Sequence, residues 1–380
     1  MAAIFISILR SAFIRTLCAT GLLALACTAA WGQILVGQTT GVTGPAAASV
    51  NETIAGAQLL FDAVNATGGI HGEQIKLVRL DDGFDAQRAG ENARELIEQT
   101  NVVALFQNYG TPQTQAIIPW LDKHGVALIG PSAGAQLLQQ PAQRHVFQVR
   151  SSYQLEAEKA VAHLLSVGVI RIAVVHVADA FGQDALDGAM TGFRKAMTAP
   201  VLVLPAHRDE PDHAAIVPKI TASQAEAVLW IGSSAGVASG IRALRAAGST
   251  AQVVTLSNNA SAGFIKQLGD ASRGVIVTQV FPNERSIAQP MVKEALDLAR
   301  TKGQYELSPA ALEGFASAKV LVEALRRAGP RPTRAKVVAA LRSMQPYDLG
   351  GGLLVSYAPQ AHAGIEFAEL SIISGGQFRR

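Results

Sequence analysis

Cysteine is almost absent from this sequence. The 380 residues include two cysteines, Cys18 and Cys27, and both lie within the first 32 residues. Those residues predict a secretory signal peptide, because Arg10 and Arg15 are followed by an apolar stretch that ends in small residues. Without this leader the chain has no disulfide, no thiolate nucleophile and no cysteine metal ligand. An exported chain of this size without disulfides suits a bacterial periplasm.

Two alternatives for the leader stay open. The uncharged stretch after Arg15 nearly reaches the length of a membrane span, so the leader could be retained as an anchor. Cys27 follows Leu23-Ala24-Leu25-Ala26, which fits a lipoprotein signal only loosely, and could carry a lipid. We expect a cleaved leader comprising residues 1–32 and a protein free in the periplasm.

Strong charge of either sign is also lacking. Lys and Arg total 32 and Asp and Glu 29, and removing a leader with two arginines leaves 30 basic residues against 29 acidic ones. A near-neutral chain without a basic cluster argues against nucleic acid as the partner. After the leader, no apolar run approaches the length that spans a membrane. The remaining chain, roughly 350 residues, predicts two domains rather than one.

The chain after the leader alternates between strand-like and helical segments. Strands are predicted at 33–38, 73–80, 102–106 and 126–130, and the alternation restarts with strands at 170–177, 201–205, 227–232 and 252–257. This order is typical of parallel, doubly wound α/β sheets, here two of them. Three later helical segments have no strand between them, so we expect them to pack on one of the two sheets; they are 290–302, 309–328 and 333–343.

The glycine-rich stretch NATGGIHG (65–72) could be a phosphate-binding turn or a structural one. A phosphate-binding turn follows a strand and opens a helix, whereas this one follows a predicted helix and precedes a predicted strand. We expect Gly68 and Gly69 to end the helix in the left-handed conformation, with Ile70 folded back onto its apolar face. The stretch is therefore interpreted as structural.

The segment GSSAG, from Gly232 to Gly236, matches the G-x-S-x-G nucleophile elbow of hydrolases. Ser234 would lie between a strand and a helix, and Asp297 and His362 follow it in the order of a hydrolase triad. No oxyanion loop of the HGGG type precedes it, and His362 falls in a predicted exposed turn. We expect no enzyme and no catalytic residue, and a serine hydrolase using Ser234 remains the alternative.

The segment HRDEPDH (207–213) groups two histidines with three acidic residues. The i, i+6 spacing of the histidines matches no recognised pattern of metal ligands on a helix. A polar loop in which Asp212 caps the next helix is the preferred interpretation, and no metal or cofactor is expected.

Two loops place hydroxyl groups at expected helix N-termini. Thr111, in GTPQT, follows the strand at 102–106 and is a predicted N-cap with Pro112 at the first helical position. The segment PSAG (131–134) predicts a second helix N-terminus after the strand at 126–130. Free N–H groups at the carboxyl edge of a parallel sheet suit an anion, here a carboxylate.

The segment GAQLLFDAVNATGGIHGEQIKLVRLDD (56–82) resembles the opening of type I periplasmic binding proteins, especially the leucine/isoleucine/valine-binding branch. The matching features are Gly56-Ala57, the N-x-x-G-G-I-x-G turn and a strand that closes in Asp81-Asp82. Weaker matches follow in the family's order, and the resemblance covers about Ile34 to Phe367. They are GTPQTQA (110–116), IGPSAG (129–134), FGQDAL (181–186) and IRALRAAG (241–248).

The resemblance implies two lobes of doubly wound sheet joined by three crossovers, near Ser151, Phe281 and Ile365. Lobe one would hold 34–151 and 281–364, and lobe two 152–280 and 365–380. It also implies a monomeric solute-binding component of an ABC importer, which binds a small molecule between its lobes and is recognised by a membrane permease. A sensor that binds the same solute and reports to a receptor stays open.

The resemblance further implies ligand contacts from both lobes. They are Ser49, Tyr109, Thr111, Ser132, Ala133 and Gly134 on lobe one, and Phe181, Ser234 and Asn258 on lobe two. Branched-chain binders have tyrosines where this chain has Ser49, Phe181 and Ser234, and at Asn258 they have a glutamate that pairs the ligand's ammonium. A buried ammonium without a carboxylate partner is costly. The expected ligand therefore carries a carboxylate, and an amino acid, another organic acid, an amide or a urea-like solute stay open.

Overall fold

Two parallel sheets organise the computed structural model, which describes residues 32–139, 143–208, 212–357 and 364–380. The first sheet has the order β2-β1-β3-β4-β5, and its strands are β1 (Gly32–Thr40), β2 (Glu73–Asp81), β3 (Ala104–Phe106), β4 (Ala127–Ile129) and β5 (Val146–Phe147). In the second sheet the parallel strands have the order β7-β6-β8-β9-β10. They are β6 (Ile172–Val177), β7 (Leu202–Ala206), β8 (Ala227–Ile231), β9 (Gln252–Thr255) and β10 (Ile276–Gln279). Both sheets thus repeat one doubly wound order.

Two further features complete the strands. The second sheet continues beyond β10 with two antiparallel strands, β13 (Glu369–Ser374) and β14 (Gln377–Arg379). A separate two-stranded ribbon joins β11 (Tyr347–Asp348) and β12 (Leu354–Val355). We call the first sheet with its helices lobe one and the second sheet with its helices lobe two.

Helices cover both faces of each sheet, as the alternating pattern predicts. Those of lobe one are α1 (Ala47–Ala66), α2 (Ala86–Glu98), α3 (Thr111–His124), α9 (Pro290–Thr301), α10 (Pro309–Ala328) and α11 (Arg334–Arg342). Those of lobe two are α4 (Tyr153–Ser166), α5 (Ala180–Lys195), α6 (His213–Ala222), α7 (Ser234–Ala246) and α8 (Ala262–Leu268). Among the described residues, no helix combines the length and the apolar character needed to cross a membrane.

Side-chain alternation along the strands explains why each sheet has two cores. In β6, Ile172 and Val174 pack with α4 and α5, whereas Ala173 and Val175 face the opposite core with α6 and α7. Strands that are apolar on both sides, such as β6 and β8, are stable only when helices cover both faces. The doubly wound α/β fold predicted from the sequence is confirmed.

The three late helices pack on lobe one, where α10 shares a core with β1 and β3 through Phe315 and Leu321. Close approach of α10 to α1 depends on two glycines. A Cβ at Gly56 would lie 1.7 Å from the carbonyl oxygen of Ala311, and one at Gly314 would lie 1.8 Å from that of Thr53.

The chain passes between the sheets after β5, after β10 and before β13. The first and third passages lie side by side, since Ile365 N donates to Val149 O at 3.0 Å. The second passage is held by Arg380, whose Nη2 donates to Phe281 O at 2.6 Å. The residue limits predicted for the two lobes remain a prediction.

The glycine turn has the predicted structure. Gly68 and Gly69 have φ angles of 100° and 74°, and Gly69 N donates to Val64 O at 2.9 Å. Ile70 is buried in the core of lobe one.

Residues 1–31 of the predicted leader, including Cys27, lie outside the described part of the chain, and Gly32 begins β1.

Candidate ligand site between the lobes

A cavity lies between the lobes, at the carboxyl ends of the strands of both sheets. Loops after β1, β2 and β3 form its wall on lobe one, and loops after β6, β7, β8 and β9 form its wall on lobe two. In this closed arrangement the free space inside the cavity is about 10 Å³, room for about one water molecule. Its lining residues are Ala46, Phe84, Tyr109, Gly110, Thr111, Tyr153, Phe181, Arg208, Ser233, Ser234 and Asn258. The carboxyl edge of a doubly wound sheet is the usual ligand position in such folds.

Five of the residues expected at the site line this cavity: Tyr109, Thr111, Phe181, Ser234 and Asn258. Ser49 lies directly behind the wall. Its hydroxyl is 3.2 Å from Ser234 Oγ and donates to the carbonyl oxygen of Asn258 at 3.0 Å. Ser49 therefore connects the lobes rather than facing the cavity.

Ser132, Ala133 and Gly134 do not line the cavity, and Ser132 and Gly134 contact residues that do. Ser132 pairs with Tyr109 through an isolated β-bridge. The carbonyl of Ala133 accepts a hydrogen bond from Gln148 Nε2 at 3.2 Å, and that of Gly134 accepts one from Tyr153 N at 3.0 Å.

The expected helix N-terminus at 131–134 is a wrong prediction. A single 3₁₀ turn, Gln136–Leu138, follows this segment instead of an α-helix. Asp184 Oδ1 accepts a hydrogen bond from Gln136 N at 2.8 Å, so this donor is already paired within the protein. The segment provides no second helix terminus for an anion.

Thr111 has a different position in its helix from the one predicted. Gly110, with φ of 100°, is the N-cap, and Thr111 is the first residue of α3. The hydroxyl of Thr111 does not cap the helix. Its Oγ1 is buried in the cavity wall and has no hydrogen-bond partner among the described residues. A buried hydroxyl left unpaired is unfavourable unless a ligand or water pairs with it.

Asn258 presents a second unpaired group from the opposite lobe. Its Nδ2 donates to Gly232 O at 2.9 Å, which orients the side-chain amide. Its Oδ1 is buried and has no hydrogen-bond partner among the described residues. The cavity therefore offers a hydroxyl from lobe one and an amide carbonyl oxygen from lobe two.

Sequence reasoning missed six lining residues, and three of these have large side chains: Phe84, Tyr153 and Arg208. Arg208 lies in the HRDEPDH segment and binds Asp179 rather than a metal, with Nε donating to Asp179 Oδ2 at 2.5 Å.

Among the described residues there is no group of three or more potential metal ligands, and residues 209–211 of the HRDEPDH segment lie outside the described part of the chain. Asp212 caps α6 as predicted, accepting from Ala215 N at 3.0 Å.

Four aromatic rings surround the cavity, two from each lobe. On lobe one the ring centroids of Phe84 and Tyr109 are 6.0 Å apart, and on lobe two those of Tyr153 and Phe181 are 4.6 Å apart. Burial raises the pKa of Tyr153 to about 12. It also raises the pKa of Tyr109 far above its usual range, so both hydroxyls are neutral. Tyr109 Oη donates to Asn258 O at 2.7 Å across the lobes.

Phe84 reaches the cavity through a costly backbone conformation. Its φ of 67° is in the left-handed region, which bulky side chains rarely adopt. Asp82 Oδ1 accepts from Phe84 N at 2.9 Å, and Gln113 Nε2 donates to Phe84 O at 2.6 Å. Strained residues held in this way cluster at functional sites.

A buried ion cluster lies behind Tyr153. Arg150 Nη2 donates to Glu156 Oε1 at 2.5 Å and to Ser257 Oγ at 2.6 Å, and its Nη1 is 3.7 Å from Glu313 Oε1. Burial disfavours the charged guanidinium, but the negative groups around it raise the pKa of Arg150 overall. The cluster joins α10 of lobe one to α4 of lobe two beside the first crossover.

The arrangement around Ser234 does not form a hydrolase triad. Ser234 Oγ donates to Asn259 Oδ1 at 3.0 Å and contacts Ser49, and no described imidazole reaches it. Asp297 lies on α9 of lobe one, paired with Lys293 and Arg300. His362 lies outside the described residues.

Comparison with known proteins decides the family. A family model described as "Periplasmic binding protein" matches residues 33–374. The chain belongs to the periplasmic binding protein family.

Three relatives of this binding protein illustrate the similarity. The "Amino acid binding protein" of Pseudomonas aeruginosa is 29% identical over 243 residues, which are 62% of this chain and 65% of that protein. The "Leu/Ile/Val-binding protein homolog 3" of Brucella melitensis is 24% identical over 328 residues, 86% of this chain and 88% of that protein. The crystal structure of a substrate-binding periplasmic protein from Ralstonia solanacearum is 33% identical with a TM-score of 0.82, and covers 90% of this chain and 98% of that one.

These findings confirm three predictions from the sequence: a type I periplasmic binding protein, its α/β fold of two parallel-sheet lobes, and its likeness to the Leu/Ile/Val-binding branch. The relatives are solute-binding proteins and not enzymes. The likeness supports a solute-binding role for this chain rather than the hydrolase alternative.

Proposed function

We propose that this protein is the solute-binding component of an ABC importer in the periplasm, binding a small carboxylate-bearing solute between its lobes and delivering it to a membrane permease. Lobe one comprises 34–151 and 281–364, lobe two 152–280 and 365–380, and the leader 1–32 is removed. The protein acts as a monomer. Relatives named for amino acids, and for leucine, isoleucine and valine, support a small carboxylate as the solute class.

One observation carries the proposal. Thr111 Oγ1 and Asn258 Oδ1 are buried, lack partners among the described residues, and line one cavity from opposite lobes. A solute that accepts a hydrogen bond at one end and donates one at the other pairs both groups. Such a solute is bound fully only when the lobes are together.

The polarity of the surroundings favours an anion at the end near Thr111. Thr111 is the first residue of α3, and the N-cap before it is Gly110, so the start of this helix has no capping side chain. The positive end of a helix stabilises a negative charge placed there. The remaining expected contacts, Tyr109, Phe181 and Ser234, complete the wall, with Ser49 and 132–134 supporting it.

Thr111→Val tests this proposal, because valine keeps the shape of threonine and removes its hydroxyl. We expect a carboxylate ligand to bind with a loss of about 1.5–3 kcal/mol, roughly tenfold to a hundredfold in affinity. Isothermal titration calorimetry would compare an acid with its amide, and an amino acid with its des-amino analogue. Thr301→Val, at an exposed position on α9, is the control and should bind as wild type does.

One result would contradict the proposal, and a second would narrow it. Equal affinity for the acid and its amide would show that no anion site exists at Thr111. Complete loss of binding when the amine is removed would show that an acidic group near the cavity pairs an ammonium, which would make the solute an amino acid.

A further inference from the structure

Arg208 is the one charged side chain among the described residues that line the cavity. It belongs to the loop after β7 on lobe two, yet its guanidinium lies 5.1 Å from the ring centroid of Phe84 on lobe one. It also lies 5.9 Å from the ring of Phe181 on its own lobe. A cation between the lobes and between two rings is placed to contact whatever occupies the cavity.

Asp179 orients this arginine and leaves part of it available. Asp179 Oδ2 accepts from Arg208 Nε at 2.5 Å and contacts Nη2, while the other terminal nitrogen, Nη1, has no hydrogen bond to a described residue. Asp179 Oδ1 is occupied in turn by the N–H groups of Phe181 and Gly182 at 3.0 and 3.1 Å. The carboxylate is thus shared between the arginine and the start of α5, and the guanidinium keeps a donor for a ligand anion.

Arg208 and Thr111 both lie next to Phe84. The Phe84 ring is so close to Gly110 that a Cβ added there would lie 3.0 Å from it, and Gly110 directly precedes Thr111. Arg208 stacks on the same ring from the other lobe. A single carboxylate beside Phe84 can therefore receive a hydrogen bond from Thr111 of lobe one and the charge of Arg208 of lobe two.

The rest of the wall suits a flat, unsaturated group. Phe84, Tyr109, Tyr153 and Phe181 all line the cavity, in a chain that has only 6% aromatic residues. Aromatic pairs bind a further ring in tilted or edge-to-face contacts, and such contacts add to the energy of area burial. Among the described lining residues none is acidic, so these residues offer no charged partner to an α-ammonium.

We propose that the solute is an aromatic carboxylate and that Arg208 is the residue that sets this specificity. The inference rests on the proposed function, since it assigns the solute class of the same cavity. The ring of the solute lies among the four aromatic side chains, and its carboxylate joins the lobes through Thr111 and Arg208. A saturated acid loses the ring contacts, and an α-amino acid adds a charge that the wall does not pair.

The test is calorimetry on the purified protein with four probes: benzoate, 4-hydroxybenzoate, cyclohexanecarboxylate and leucine. We expect at least one of the two aromatic acids to bind, about tenfold or more tighter than cyclohexanecarboxylate or leucine. Arg208→Gln should weaken the aromatic acid by about tenfold or more, the value of a charged hydrogen bond. Arg208→Lys, which keeps the charge and the pairing with Asp179, should lose less. Arg194→Gln, exposed on α5, should leave binding unchanged.

The outcomes separate this inference from the proposed function. If leucine or cyclohexanecarboxylate binds best, or if Arg208→Gln leaves the affinity unchanged while Thr111→Val lowers it, the inference is wrong and the proposed function stands. If no carboxylate binds, or if binding is insensitive to Thr111→Val, the proposed function fails as well. Should Arg208→Gln not fold, judged by circular dichroism, Arg208→Lys carries the test, and equal affinity of that variant for the aromatic acid and for its amide overturns the inference.

Discussion

Asp82 is a carboxyl group whose burial links the stability of the protein to pH. It follows β2 and is fully buried, with Oδ1 accepting from Phe84 N and Oδ2 accepting from Thr39 Oγ1 at 3.0 Å. Burial raises its pKa to about 6, from an ordinary value of 3.8. Between these values the folded protein binds more protons than the unfolded chain, so stability falls as pH rises from about 4 to 6.

Asp82→Asn should reduce this dependence. Asparagine retains an acceptor for Phe84 N and cannot ionise, so the fall in unfolding free energy between pH 4 and 7 should shrink by on the order of 2 kcal/mol. Burial also raises the pKa of Asp184 to about 6. Asp184 therefore still makes the unfolding free energy of this variant fall as pH rises. Urea unfolding at several pH values measures the change. Asp270→Asn, at an exposed position, is the control, and an unaltered slope in the Asp82 variant would contradict the prediction.

Residues of the cavity differ in how far the sequence could predict them. Thr111 was found because it stands between a strand and a helix, and Asn258 and Phe181 were found through the family resemblance. Arg208 and Phe84 gave no local signal, because each lies in a loop and becomes a lining residue only through a partner distant in the sequence. Phe84 reaches the cavity because Asp82 and Gln113 hold its backbone, a contact that no spacing rule reveals.

At the level of elements, the pairing of α1 with α10 depends on glycine. Gly56 and Gly314 each allow the backbone of the facing helix to approach so closely that any Cβ would overlap a carbonyl oxygen. Glycine lowers the stability of a helix interior by roughly 0.5–1 kcal/mol relative to alanine, so its presence here indicates a packing requirement. This explains the Gly56-Ala57 pair on which the family resemblance partly depends.

Gly56→Ala should destabilise the protein despite the better helix propensity of alanine. The overlapping atom belongs to the backbone of Ala311, so α1 and α10 must separate, at a cost of about 1–3 kcal/mol or more. Gly90→Ala on α2 is the matched control, because a Cβ there would lie 3.2 Å from its nearest neighbour. Thermal and urea unfolding would compare the two variants. Equal stability of the Gly56 and Gly90 variants would show that the helices adjust without strain.

Elements were predicted best where their pattern is long and periodic. The span predicted at 309–328 matches α10, because this helix is long, has Ser308 as its N-cap and Pro309 in its first turn. The 131–134 segment was predicted wrongly because hydroxyl and glycine residues after a strand suit a 3₁₀ turn as well as a helix start. Only the contact from Asp184 to Gln136 N, across 48 positions, distinguishes the two.

The whole molecule is closed, with hydrogen bonds between the lobes that join residues far apart in the sequence. Besides the bond from Ser49 to Asn258 O, Ala310 N donates to Ala260 O at 3.0 Å. Alternating strands and helices predicted the two sheets, but not these contacts, which arise only when the lobes meet. A cavity enclosed in this way fills only if the lobes first separate and then close on the solute, a hinge motion of the crossovers.

Glu52 offers a test of closure at a position outside the cavity wall. It lies on α1 of lobe one, and its carboxylate accepts hydrogen bonds from Ala262 N and Gly263 N at the start of α8 on lobe two, at 3.0 and 2.8 Å. These bonds exist only in the closed form, and the carboxylate also stabilises the N-terminus of α8. Removing them should shift the population towards the open form.

We therefore expect Glu52→Ala to weaken solute binding severalfold, by on the order of 1 kcal/mol, although Glu52 does not line the cavity. Affinity falls because the binding-competent closed form is less populated, not because a solute contact is lost. Calorimetry with whichever carboxylate binds gives the affinity, and small-angle scattering gives the radius of gyration, about 20 Å for a closed chain of roughly 350 residues. The radius should be larger without solute and should fall to the same closed value in the wild type and the variant at saturation. Glu91→Ala, exposed on α2, should match the wild type in both measurements. A radius that stays constant while calorimetry shows saturation would mean that the lobes do not move on binding, and the effect of Glu52 would then have to be a local one.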